Sequence, residues 1–417
     1  MQIQTTTPFD IDFSQASRLG QGLLLQLNTL RELEPVHWSA ASNGWLITRH
    51  ADVDDALQGR LPLSLRRIEK MIFDALSPQD RALLPVQQKY IRSWPVEMDA
   101  PEHTRLRKLL VKAFSRKVVE SIRPFVRQRV SELMERLESQ LTVEFNEDIA
   151  RPLPGAVILK LLGLPQDQIA RLREWASAIN EGVGVPFADM TAKLRAERAM
   201  VEMTEAFRAE IDARRRQPRD DLVSSLLAAT EDGDLLSEDE MIGAMQLVLI
   251  AGHDTTSSTL TLGVATLAQQ PEYWDYMYRH PERILETCLE LMRFEAMSTS
   301  QPRVAATDFE WHGRQIRKGD FVWLMLAAAN RDPRVFSEPE HIDPLRNNER
   351  SMVFAPGLHH CIGHQLAKLQ VTEFFGEFVK RFERAELLDP ELNFMSQIVF
   401  RGVNYLNVRV HPRKLSQ

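Results

Sequence analysis

Apolar residues recur at three- and four-residue spacing along most of the chain. This period predicts amphipathic helices over 23–33, 104–114, 118–141, 169–179, 190–214 and 366–382. Strand-like runs are short and few: 36–39, 45–49, 303–306, 321–326 and 405–410, with Trp311-His312-Gly313-Arg314 as a turn between short strands. The pattern is a mostly helical α+β chain with its strands near the two ends. Two stretches resist regular assignment. Residues 59–98 mix short helical pieces with Pro62, Pro78, Pro85 and Pro95, and 182–187 place Gly184 and Pro186 between two long helices. Such stretches are either lids over a binding site or solvated connections, and both readings stand.

Composition narrows the class. The 417 residues are 44% hydrophobic and 26% charged, as expected of an ordinary globular protein with a sizeable core. No repeat, low-complexity tract or Gly/Ser linker marks a boundary, so the simplest reading is one domain over 1–417. The net charge of −7 argues against a general nucleic-acid binder. Two cysteines, Cys288 and Cys361, make no disulfide framework and suit a reducing compartment. The N-terminus lacks the basic start and apolar stretch of a signal peptide, and the apolar run 241–252 falls short of the roughly 20 residues that span a bilayer. The expectation is a cytoplasmic chain with no membrane partner.

Candidate chemistry gathers at Phe354-Ala355-Pro356-Gly357-Leu358-His359-His360-Cys361-Ile362-Gly363. A cysteine between two glycines, just before a helix, can have its thiolate stabilised by backbone N–H groups, as a soft metal ligand requires. A lone cysteine also serves as a small buried hydrophobe. His359, His360 and His364 raise a zinc reading, but a structural zinc site closes with four ligands and no second cysteine is near. Upstream, Ser237 and Glu240 form a capping box before an apolar run that enters Ala251-Gly252-His253-Asp254-Thr255-Thr256. This reads either as two helices parted at Gly252 or as one long helix with Leu247, Ile250, Ala251 and Thr255 on one face and Asp254 beside it. Glu290 and Arg293 are helix neighbours at i, i+3, and His103 and Arg107 at i, i+4 after Pro101.

The ten-residue string resembles the haem-ligand loop of the cytochrome P-450 superfamily, Phe-x-x-Gly-x-His-x-Cys-x-Gly, met by Phe354, Gly357, His359, Cys361 and Gly363. Gly-x-Asp-Thr-Thr, Glu290-x-x-Arg293, the 330–346 stretch and Asp-x-Pro-x-His-x-x-x-Arg at 99–107 match further motifs of that family in order. The resemblance implies the cytochrome P-450 fold, a triangular helical domain with a small β-rich region. It also implies haem b as cofactor, with Cys361 as thiolate ligand to iron. By the same resemblance His103, Arg107, Arg303 and His359 bind the haem propionates, and Ala251, Phe354 and Gly363 adjoin the cofactor. Glu290, Arg293 and Arg346 would form a buried network supporting the cysteine loop. Asp254 and Thr255 would deliver protons in a groove made by a local distortion of the long helix.

The implied activity is monooxygenation, one atom of O2 entering a medium-sized, largely apolar small molecule. Electrons would come from a ferredoxin and its NAD(P)H-dependent reductase, docking on Arg105, Lys108, Lys112, Arg116 and Lys368. Alternatives are a peroxide-driven or oxidative-coupling enzyme of the same fold, or a non-catalytic haem-thiolate sensor. Leu247, Ile250, Ala251, Thr299 and Val399 would line the pocket, with Ser298, Ser300, Gln301, Ser396 and Gln397 near the same segments. The cations Arg60, Arg66, Arg67, Lys70, Arg81, Lys89 and Arg92 of the 59–98 region suggest a taste for anionic substrates.

Overall fold

The computed structural model describes residues 10–12, 20, 22–74, 76–184, 188–231, 233–396 and 398–414. Its centre is the 32-residue helix Glu238–Gln269, which opens on the expected capping box: Ser237 Oγ accepts from the Glu240 amide (3.3 Å), and Glu240 Oε2 accepts from the Ser237 amide (2.8 Å). Glu238, Asp239 and Glu240 in its first turn complement the positive end of the helix dipole. Of the two readings of this segment, the single helix is the one found, and Gly252 does not end it.

Helices Gly22–Leu33, Glu102–Ala113, Ile169–Ile179, Met190–Arg216 and His364–Arg381 follow the apolar period. The helix expected over 118–141 is instead two, Arg116–Ser121 and Arg123–Gln140, because Pro124 falls in the first turn of the second, where its missing N–H costs nothing. Helix Pro152–Leu161 was not expected: it is apolar on nearly every side and almost wholly buried, so it has no polar face to give it a period.

A five-stranded sheet runs in the order Val36–Ser39, Gly44–Ile47, Phe321–Leu324, Gln301–Ala305, Leu63–Ser64, joining residues 36–64 to residues 301–324. Phe321–Leu324 lies parallel to Gly44–Ile47 and antiparallel to Gln301–Ala305. A second sheet places Asn407–Pro412 between Phe382–Leu387 and Thr142–Glu144. His312 and Gly313 make the expected turn in the left-handed region. Phe145, Trp274, Phe374, Phe378 and Phe382 form an aromatic core where the second sheet meets helix His364–Arg381. Among the described residues no helix is long and apolar enough to cross a membrane.

Residues 59–98 divide into short helices, as the prolines suggest. The half from 85 to 97 is bolted down. Glu197 accepts from the amides of Val86 (2.8 Å) and Gln87 (3.0 Å), and Trp94 Nε1 donates to the buried Gln246 (3.1 Å), which in turn donates to Thr204 (3.0 Å). This half is tied to Met190–Arg216 and to the long helix. The earlier half is held by strand Leu63–Ser64 in the five-stranded sheet and by the Ile68 amide donating to Glu97 (2.8 Å), so the region reads as anchored structure and not as a free lid. Residues 185–187 of the second irregular stretch lie outside the described residues.

Candidate active site

The cysteine loop hangs from a buried ion network. Glu290 and Arg293 are both 0% exposed and joined by two 2.8 Å bonds, and Arg346 Nε adds a third to Glu290 (3.0 Å). Arg293 also donates to the carbonyls of Asn330 (2.8 Å), Pro339 (3.0 Å) and His341 (3.3 Å). Asn330 passes the constraint on, its Oδ1 accepting from the Met352 amide (2.6 Å) two residues before Phe354. The structure thus brings Glu290, Arg293 and Arg346 together around the backbone that leads into the loop.

Within the loop, the Cys361 amide donates to the Phe354 carbonyl (3.0 Å), closing it into a bulge. Gly357 sits at φ +106°, and a Cβ there would collide with the Leu57 carbonyl. Cys361 reaches solvent, yet protein crowds it closely enough for burial to push its thiol pKa up. The Gly363 N–H and the Arg107 guanidinium act in the opposite sense, favouring thiolate. The other cysteine, Cys288, is buried, its pKa driven well up by burial. Of the two cysteines, only Cys361 combines solvent access with close packing by protein.

Four of the sequence-expected cations converge beside it. The rings of His103 and His359 stack at 3.6 Å, Arg107 donates to the His360 carbonyl (2.5 Å), and the buried Arg303 donates to the Pro302 carbonyl (2.9 Å) and Gln301 Oε1 (3.2 Å). Burial lowers the Arg303 pKa to about 9 and, with Arg107 nearby, that of His103 to about 4. His359 is pushed to about 2 by burial and by the charges of His103, Arg303, Arg67 and Arg107. Their charged forms disfavour one another, so the two rings stay neutral, and all four groups gain as donors or cations if anionic charge enters among them. Two propionates are a chemical match for this donor set, so the residues fit haem.

Arg67 is a residue that sequence reasoning misplaced. Read as an entrance cation, it lies on helix Arg67–Phe73, just beyond strand Leu63–Ser64, which pairs with the strand carrying Arg303. It bonds Glu97 (3.0 Å) and the Val96 carbonyl (2.6 Å) and acts on both His359 and Arg303. The pairing of a strand at 63–64 with one at 304–305 has no sequence signal of its own.

The long helix offers one open face in a buried element. Ala251 is exposed and Leu247, Val248, Ile250, Asp254, Thr255 and Ser258 are partly so, whereas Leu249, His253 and Thr256 are buried. The expected local distortion is not found. The helix continues unbroken, and Thr255 Oγ1 donates to the Ala251 carbonyl (2.7 Å), a back-bond that satisfies the hydroxyl within the helix. Asp254 accepts from Asn180 Nδ2 and lies 2.7 Å from His253 Nδ1.

Thr299 and Val399 adjoin, the Thr299 amide donating to the Val399 carbonyl (2.9 Å). Val399 is partly exposed, but Thr299 is fully buried with its hydroxyl unpartnered, because the two segments close over it. Ser300 spends its hydroxyl on the Ile398 carbonyl (2.7 Å), and Gln397 lies outside the described residues.

The entrance cations do not form a positive field. Arg60 pairs with Asp55, Arg67 with Glu97, Lys70 with Asp74 (3.1 Å), Lys89 with Asp239 (2.8 Å) and Arg92 with Glu69. Arg66 lies 4.0 Å from Asp99, and Arg81 donates to the Phe73 carbonyl (2.8 Å). The expectation of an anionic substrate on this ground is withdrawn. On the expected docking face, Arg105 is engaged by Asp234 (2.7 Å) and Glu240, and Lys112 donates to the Thr230 carbonyl (2.6 Å). Lys108 and Arg116 are exposed, and Lys368 lies over the Phe354 ring at 5.5 Å.

Comparison with known proteins bears on the chain as a whole. The family model described as cytochrome P450 matches residues 190–405. The chain is 33% identical over 384 residues to cytochrome P450 107B1 of Saccharopolyspora erythraea, covering 90% of this chain and 92% of that one. It is 32% identical to the vitamin D(3) 25-hydroxylase of Pseudonocardia autotrophica, covering 92% and 93%. Among solved structures, P450BioI in complex with an acyl carrier protein ligated to hexadec-9Z-enoic acid superposes with a TM-score of 0.85 at 27% identity, over 95% of this chain and 100% of that one.

Proposed function

The chain belongs to the cytochrome P450 family, and on that premise we propose that it inserts one oxygen atom of O2 into a medium-sized, largely apolar molecule bearing a polar handle. Haem b is the cofactor of this family of monooxygenases and supplies the dioxygen chemistry when bound. In this reading Cys361 is the thiolate ligand. His103, Arg107, Arg303 and His359 would hold the propionates, with Arg67 reinforcing them, and Ala251, Phe354 and Gly363 would adjoin the cofactor. The observation that carries the reading is the pairing of an accessible, crowded cysteine with a cluster of basic side chains, His103 stacked on His359 with Arg107 and the buried Arg303 close by, whose charged forms are disfavoured until an anion joins them.

The chain's own residues divide the remaining work. Leu247, Ile250 and Ala251 exclude water and bind apolar surface, which contributes roughly 25 cal/mol per Å² buried. Val399 borders the same space, and Thr299 backs it. Asp254, 41% exposed, gathers protons from solvent, and Thr255 holds a proton at Oγ1 beside the Ala251 carbonyl. Glu290, Arg293 and Arg346 fix the loop that presents Cys361. Electrons arrive from a separate ferredoxin and its NAD(P)H-dependent reductase at a face around Lys108, Arg116 and Lys368. The direct test supplies NADPH, a surrogate ferredoxin and reductase, and isotopically labelled dioxygen to a panel of sterols, fatty acids and macrolides. Products carrying one labelled oxygen support the reading. Product formation driven by peroxide alone, a coupled product without added oxygen, or no turnover with any substrate contradicts it.

A further inference from the structure

Glu97 places a carboxylate among the basic side chains that would cradle the propionates. It is 3% exposed, and burial pushes its pKa up to about 7 against the charge of Arg67 and the amides of Ile68, Arg67 and Glu69. Its Oε2 accepts from the Ile68 amide (2.8 Å). Its Oε1 has Arg67 Nη1 at 3.0 Å as an ion-pair partner but accepts no hydrogen bond, because that nitrogen donates to the Leu65 (3.2 Å) and Val96 (2.6 Å) carbonyls. A buried carboxylate with one bare oxygen is weakly held in its charged form. Asp99, two residues on, is 34% exposed and accepts from Ser64 Oγ (2.6 Å) and the Leu65 amide (2.8 Å). Both acids favour the charged form of the buried Arg303, which Arg67 disfavours. Elsewhere around Glu97, helix Glu102–Ala113 carries His103 and Arg107, Arg66 lies by Asp99, Arg92 pairs with Glu69, and Lys70 pairs with Asp74. The long helix presents the uncharged Gln246 to this segment.

We propose that Glu97 is the exchangeable counter-ion of the cradle: a carboxylate facing Arg67 in the haem-free chain, and a carboxylic acid carrying one proton taken from solvent once propionates occupy the cradle. This rests on the reading of these residues as the haem site. Two propionates would bring negative charge to the same arginines, and bound haem would shut out water. Both effects disfavour a further buried anion, and protonation leaves the Arg67 charge to the propionates.

The test titrates haemin into the haem-free protein and counts the protons taken up, from the heats in two buffers of different ionisation enthalpy. Above the haem-free pKa Glu97 is ionised and must gain a proton on loading; below it the proton is already there. At about pH 8 the parent should therefore take up nearly one proton more per haem than Glu97→Gln, and at about pH 6 the two should agree. Protons taken up by the histidines are common to both proteins and cancel. The haemin affinity of the parent, relative to that of the variant, should fall roughly ten-fold between those pH values. Infrared spectra give a second readout: at about pH 8 the haem-loaded parent should show the C=O stretch of a carboxylic acid that the haem-free parent lacks. If Glu97→Gln does not fold, this comparison carries the test alone. Equal proton uptake at about pH 8, or no acid band on loading, overturns the proposal and leaves the cradle intact. A parent that takes up no haem, or one whose haemin affinity is untouched by Arg303→Leu, overturns the cradle and the proposal together.

Discussion

Replacing Arg293 by leucine should loosen the cysteine loop from a site that touches neither haem nor substrate. The side chain is 0% exposed and makes both 2.8 Å bonds to Glu290, while three backbone carbonyls between 330 and 341 depend on it. Its loss strands a buried carboxylate that keeps only Arg346 and the Asp343 amide, each at 3.0 Å. Breaking a fully buried ion pair costs about 3–5 kcal/mol, and the residual Arg346 contact places this case near 4 kcal/mol. Against a net stability of about 5–15 kcal/mol that is a large fraction. Arg346→Leu leaves the two-bond pair intact and should cost only about 1–2 kcal/mol. Arg293→Lys keeps the charge but not the planar fork, and falls between. Urea unfolding followed by tryptophan fluorescence gives the stabilities, and Soret absorbance per protein gives haem retention. The reasoning fails if Arg293→Leu stays within about 1 kcal/mol of the parent and retains its haem, or if Arg346→Leu proves the more damaging.

Arg303→Leu should fold but lose haem faster than the parent, read as haem transfer to apomyoglobin; an unchanged rate would remove Arg303 from the cradle. His103 has a pKa lowered to about 4 from the ordinary 6.5. Between those values the unfolded chain takes up a proton that the folded chain refuses, so His103 alone should cost the haem-free protein up to about 3 kcal/mol as pH falls from 6.5 toward 4, with His359 adding to the loss in the same direction. Propionates would raise that pKa, so the haem-loaded protein should show a shallower loss over the same window, and equal slopes in urea titrations would contradict the assignment. Ala251→Leu fills the most open position of the long helix and should sharply weaken the substrate-induced Soret shift; unchanged affinity and products would place the pocket elsewhere. Charge reversal at Lys108 and Arg116 should slow reduction by ferredoxin and flatten its ionic-strength dependence, whereas Arg105, already paired, should matter less when reversed.

Helices with one polar face were legible because their period is written locally, and so was the capping box at Ser237. Pro152–Leu161 was not, since burial on all sides erases the period. The split at Pro124 is local and was overlooked in favour of an unbroken apolar pattern. Cys361, His103, Arg107, Arg303 and His359 were singled out by the resemblance of their motifs to the P-450 family, and the structure brings the two histidines into contact and the arginines close to them although they come from distant parts of the chain. Arg67 escaped because its place depends on pairing between strands far apart in sequence. The entrance cations misled for a related reason: a sequence counts charges but does not say which acids face them, and Glu97, Asp239 and Glu69 do.

The central claim is that Cys361 is the thiolate ligand of the haem. The spectrum of the dithionite-reduced, CO-bound protein tests it most directly. The account predicts the red-shifted Soret band of thiolate ligation in the parent and its loss in Cys361→Ala, with Cys288→Ala unaffected. A parent without that band, or a Cys361→Ala protein that keeps it, would contradict the account.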